Sequence, residues 1–162
     1  MKSDKNLFAK LFLFGLIGTP ILFASTNVKA QANLQKAIIR HINKVSGDAS
    51  EVRESRRIVY GDIDGDGTKD AAVQYLLEGF GGGNLWAQNL AVFLNQKGVY
   101  RMSADENVGG KFFRSFDLLK VAGKQIIGAT ETCPKDEPQG LCENPKKKQV
   151  KYVLLKGRLK EK

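Results

Sequence analysis

Residues 61–70 read Gly-Asp-Ile-Asp-Gly-Asp-Gly-Thr-Lys-Asp, so four carboxylates (Asp62, Asp64, Asp66 and Asp70) fall within nine residues. Side chains of one charge at this density repel unless they are solvated or neutralised. A hard divalent cation neutralises them well, because calcium takes 6–8 oxygen ligands at about 2.3–2.6 Å. In a loop of that kind Asp62, Asp64 and Asp66 supply ligand positions 1, 3 and 5. The carbonyl of Thr68 supplies position 7, and Asp70 position 9, directly or through water. Gly67 falls where the chain must turn sharply, and Gly65 gives freedom between two ligands. The plain alternative is a solvated Asp/Gly turn, since both residues are ordinary turn formers. Alternating aspartates in register favour the calcium loop.

Position 12 departs from the EF-hand pattern, which places a bidentate Glu there; here it is Val73. The flanks also disagree with helix–loop–helix. Ile58-Val59-Tyr60 before the loop and Ala71 to Leu77 after it are rich in β-branched and aromatic residues, as strands are. Over about twenty residues, "RIVYGDIDGDGTKDAAVQY" resembles the D-x-D-x-D-G-x-x-D calcium hairpins of FG-GAP and integrin-α-type β-propeller repeats. The resemblance implies ligand roles for Asp62, Asp64, Asp66, Thr68 and Asp70. It is local, because a propeller needs 4–8 blades and the motif occurs once. Without a carboxylate at position 12 the expected affinity is that of extracellular modules, about 10⁻⁴–10⁻³ M. A structural clasp fits that affinity better than a sensor.

Three other segments carry chemical interest. Leu77 to Asn84 (Leu-Glu-Gly-Phe-Gly-Gly-Gly-Asn) leads into the single Trp, and Phe80, Asn84 and Trp86 are the candidates for partner contact. It is no phosphate loop, because no Gly-Lys-Ser/Thr follows. Cys133 and Cys142 bracket a polar loop, and a disulfide between them would close it, contributing about 2–3 kcal/mol. Two thiols and a distant His41 make zinc a poor alternative. Lys146, Lys147, Lys148 and Lys151 concentrate the basic excess of a chain whose formal net charge is +9. They suit a polyanion or an anionic membrane surface, or simply protect a sheet edge.

The elements that must position these residues follow from periodicity. Lys2, Lys5 and Lys10 precede an apolar run from Leu11 to Ala24, and Val28-Lys29-Ala30 offers small residues at −3 and −1. Residues 1–30 are therefore expected to be a secretory leader, cleaved before Gln31. The run is shorter than the about 20 residues needed to span a bilayer. Residues 31–162 are then one domain. Leu34, Ala37, Ile38, Ile42 and Val45 follow the helical period, with Asn33 as N-cap and Gly47 as stop. His41 lies on the same stripe and is expected to pack against the sheet. From residue 55 the pattern alternates, predicting strands around the acidic hairpin, at 86–95, 99–102, 112–119, 124–131 and 148–155. The expected fold class is α+β: one N-terminal amphipathic helix on a mostly antiparallel sheet of about seven strands.

These features point to an exported, periplasmic or secreted calcium-binding protein that binds a protein or glycan, with inhibitor or immunity-type partnership of an envelope enzyme as one form. Export disfavours nucleic acid. A metal-assisted hydrolase is the alternative, but Glu78, Asp105, Glu106 and Asp117 form no catalytic pattern and no nucleophile–His arrangement is legible.

Overall fold

The computed structural model describes residues 22–111, 114–134, 142 and 144–162. Most of the expected leader lies outside them. The chain order is helix α1 (Leu22–Val45), then strands β1 (Ser50–Glu51), β2 (Arg57–Gly61), β3 (Asp70–Glu78), β4 (Trp86–Gln96) and β5 (Val99–Gly110). Strands β6 (Ser115–Ala122), β7 (Gln125–Thr132), β8 (Lys146–Leu155) and β9 (Arg158–Glu161) follow. The α+β expectation holds, but the described strands number nine and form two sheets rather than one. The first has the order β1-β3-β4-β5, with β2 also pairing β3, and the second is the meander β6-β7-β8-β9. Every pairing is antiparallel. No helix among the described residues is long and apolar enough to cross a membrane.

Helix α1 runs without a break through Ala30–Gln31 and Asn33, so the expected N-cap at Asn33 is not where the helix starts. Residues 22–45 contain neither Gly nor Pro, so nothing there stops the helix. Asn33 instead sends its Nδ2 to the Gly98 carbonyl, at 3.1 Å, pinning the helix to the β4–β5 turn. The C-terminal stop is as expected: Gly47 adopts φ +59° and Ser46 N bonds Ile42 O at 2.9 Å. Leu34, Ile38 and Ile42 are buried, whereas Val45 at the end of the stripe is exposed.

Two cores result, one on each face of the first sheet. Ala71, Val73, Tyr75 and Leu77 of β3, with Ala91 and Phe93 of β4, meet Leu34, Ile38 and Ile42 of the helix. On the other face Ala72, Leu90, Val92, Ala104 and Val108 meet Phe116, Leu118, Ile126 and Val150 of the second sheet. The order is therefore helix, sheet, sheet, and β3 is buried almost throughout because it is covered on both sides. Burying each large aliphatic side chain contributes about 1.5–3 kcal/mol.

The outer edge of β6 is closed by side chains rather than by another strand. Gln74 donates to Phe116 O (2.7 Å) and accepts from Leu118 N (2.7 Å), while Gln88 accepts from Phe116 N (2.7 Å). These amides satisfy main-chain groups that would otherwise be buried without partners. A second tie joins the sheets through the Arg114 guanidinium, which donates to Val108 O of β5 (2.9 Å) and to Glu161 Oε2 (2.6 Å) and Tyr152 OH (2.8 Å) of the second sheet.

Candidate metal centre

The acidic segment is the connection of the β2–β3 hairpin, in which Gly61 pairs with Asp70. Asp62, Asp64 and Asp70 each place one carboxylate oxygen so that all lie within 4.8 Å of one another. Oxygens around one centre at about 2.4 Å are at most about 4.8 Å apart, so this spread fits a shared cation. The three residues are a group that could hold a metal ion, and their donors are hard oxygens, as calcium or magnesium require. Asp66 is not part of it. Its Oδ1 accepts from Thr68 N at 2.7 Å, closing its own turn.

Main-chain amides build the cluster. Asp62 accepts from Gly65 N (2.6 Å) and Gly67 N (3.1 Å), and Asp64 from Asp66 N (3.1 Å). Gly65 and Gly67 adopt φ +91° and +84°, which residues with a Cβ adopt at a cost. Asp70 is 0% exposed and accepts from Ile63 N and Asn95 N, both at 2.9 Å. Burial pushes its carboxyl up from the ordinary value, against the two amide bonds that hold it down. Asn95 thus joins β4 to the loop.

The second sheet also reaches this loop. The β6–β7 turn is Gly123-Lys124, with φ +56° and +60°, the signature of a type I′ hairpin. It lays the Lys124 ammonium against Gly65, where any Cβ would collide with it. Nearby, a Cβ on Gly61 would fall 2.5 Å from Val121 Cγ1 of β6. Gly61 is therefore needed for approach of the second sheet, whereas at Gly65 the flexible Lys124 side chain can move aside.

The other candidate residues are dispersed. Phe80 is half-buried and packs on the helix-side core rather than facing outward. Asn84 is exposed and Trp86, opposite Glu78 at the start of β4, is half-buried. The Gly-rich loop is anchored: Gly81 N donates to Asp48 Oδ2 (2.8 Å) and Gly79 N to Leu85 O (3.0 Å). Cys133 and Cys142, the expected disulfide pair, are close but not at disulfide distance, and both are half-buried. A bond needs the Cβ atoms about 3.5–4.5 Å apart, and residues 135–141 between them lie outside those described. Lys146, Lys147, Lys148 and Lys151 are exposed on β8, and Lys147 pairs with Glu131 of β7 at 2.8 Å. Strand β9 pairs β8 only from Tyr152 onward, which leaves the lysine-bearing half as an edge.

His41 packs as expected, 7% exposed and edge-on to Tyr75 and Phe93. The sequence reading missed its acid partner. His41 Nε2 lies 2.7 Å from Asp105 Oδ2, which also accepts from the Tyr75 hydroxyl at 2.6 Å. The register of β5 slips opposite Val92/Phe93, where Met102 pairs Phe93 but Ala104 pairs Val92. The extra residue, Ser103, returns Asp105 to the helix-facing side, as bulges re-aim side chains. Strict alternation gives no hint of this. Tested against models of protein families, characterised proteins and solved structures, the chain has no significant match.

Proposed function

We propose that this chain is an exported calcium-binding domain that works by binding a partner rather than by catalysis. The observation that carries the metal assignment is the convergence of Asp62, Asp64 and Asp70 within 4.8 Å. The likeness of residues 57–75 to FG-GAP-type hairpins supports calcium among the hard divalent ions. Amides of the loop already orient Asp62 and Asp70, so little reorganisation opposes binding. The ion joins β2 to β3 and, through Asp70 and Asn95, to β4. Its role in this reading is structural. A periplasmic or extracellular setting supplies calcium at the millimolar level such a loop needs. The binding role rests on the anchored loop at 79–85, which offers Asn84, Leu85 and the edge of Trp86 to a protein or glycan, an envelope enzyme in the inhibitor form of the proposal.

Melting of the purified chain in calcium, magnesium and chelator tests the metal. At about ten to a hundred times the dissociation constant, linkage adds about 1.4–2.7 kcal/mol. An upward shift with calcium, smaller with magnesium and lost in Asp64→Ala, is the expected result. No shift at millimolar calcium removes the metal assignment.

A further inference from the structure

A groove of about 280 Å³ opens between the C-terminal half of α1 and the β4–β5 pair. Arg40, His41 and Lys44 of the helix, Phe93 of β4, and Arg101 and Met102 of β5 line it. Arg40 and Lys44 are one helical turn apart, so both project over the same opening. Neither they nor Arg101 belong to an ion pair among the described residues. Three uncompensated cations around one concavity form a site of strong positive potential, and low-dielectric walls focus it. No carboxylate is among the described residues that line it, and Asp105, bonded to the lining His41, is engaged by that ring and the Tyr75 hydroxyl.

His41 forms a fixed part of the groove wall. Asp105 takes Nε2, which leaves Nδ1 as the ring atom available for a ligand. Burial of the ring between Tyr75 and Phe93 holds its plane. Guanidinium groups match phosphoryl oxygens in pairs, and three positive charges suit a doubly charged tetrahedral anion better than a single carboxylate. Phe93, Met102 and the ring of Tyr100 supply apolar wall for a compact organic body.

We propose that this groove binds a small organic ligand through its phosphoryl group, with Arg40, Lys44 and Arg101 gripping the oxyanion beside the His41 ring. The volume admits a phosphoryl group and one ring-sized body. A soluble phosphate ester and a phospholipid headgroup share this chemistry. The site is remote in sequence from the acidic hairpin, and calcium plays no part in it.

His41 is the only histidine in the chain, so its imidazole signals report on the groove without ambiguity. In chelator, to separate this reading from the metal one, the full chain is titrated with phenyl phosphate, inorganic phosphate and benzoate while those signals are followed by NMR. Saturable shifts with phenyl phosphate, weaker affinity for inorganic phosphate and weakest for benzoate are expected. The exposed pair Arg40→Gln and Arg101→Gln should weaken phenyl phosphate by about tenfold or more. Neutralising Lys146, Lys147 and Lys148 should change nothing. Displacement of phenyl phosphate by phosphatidylglycerol vesicles, but not phosphatidylcholine vesicles, assigns the oxyanion to a headgroup; retention assigns it to a soluble ester. The proposal falls if the His41 signals stay unmoved to about 20 mM phenyl phosphate, if benzoate binds equally well, or if the double variant binds unchanged.

Discussion

Carboxylates are held in two different ways in this molecule. In the β2–β3 turn, Asp62 and Asp64 are tied to amides two to five residues away, and Asp70 to Ile63 and Asn95. At the helix face Asp105 has no main-chain donor in this role. It is held by His41, 64 residues distant, and Tyr75, 30 residues distant. The first arrangement is a property of one short peptide and needs little of the fold beyond β4. The second exists only when α1, β3 and a bulged β5 are all in place. A site of the first kind can form as its hairpin forms, whereas the second reports on complete packing.

The largest test of this contrast is Asp70→Ala. It strips one buried and one part-buried amide of their acceptor, and each costs about 1–3 kcal/mol to leave unmade. A loss of about 3 kcal/mol in denaturant unfolding under chelator is expected, against about 0.5 kcal/mol for Asp66→Ala, whose single contact is exposed. Equal losses would mean that Asp70 is no more than another turn residue. Next comes Asp105→Ala, expected to cost about 2 kcal/mol by leaving His41 and Tyr75 without their acceptor. It should also raise hydrogen exchange along α1, a readout that Asp66→Ala leaves unchanged. Exchange confined to β5 would show that the helix does not depend on the cluster.

Two smaller effects sharpen the picture. Lys124→Ala removes an ammonium that rests against the acidic loop. Calcium, titrated calorimetrically, should bind about threefold more tightly, as loss of one partly screened cation predicts. Unchanged affinity would mean that the second sheet merely packs there. The smallest effect concerns a third carboxylate, Glu161, whose value the Arg114 guanidinium holds below the ordinary range. The native state therefore binds fewer protons than the unfolded one in that window. Its stabilising contribution is complete above the unfolded carboxylate value and fades as pH falls through the folded one. The stability difference between the native chain and Glu161→Gln, measured across acid pH, should shrink toward low pH.

Much of the architecture was readable because it is written in short-range pattern. Leu34, Ile38 and Ile42 recur at helical spacing and are buried together. Ala71, Val73, Tyr75 and Leu77 alternate and share the helix-side core as their period requires. The start of α1 was misread because Asn33, a good cap by type, is bypassed by a chain with no residue to stop it. Two sheets were read as one because alternation tells which residues share a face and not which layer covers it. Phe80 looked outward by its Gly-rich company, yet its ring is large enough to reach the helix-side core.

The acidic hairpin was determined by the sequence alone: Asp62, Asp64 and Asp70 converge because glycines and strand flanks within ten residues bend the chain that way. Tertiary structure decided the remainder. It brought Asn95 and Lys124 to the cluster and turned Asp105 toward His41 through a one-residue bulge. Such contacts arise from register and layer packing, which depend on the summed burial of many distant side chains and leave no spacing to read along the chain.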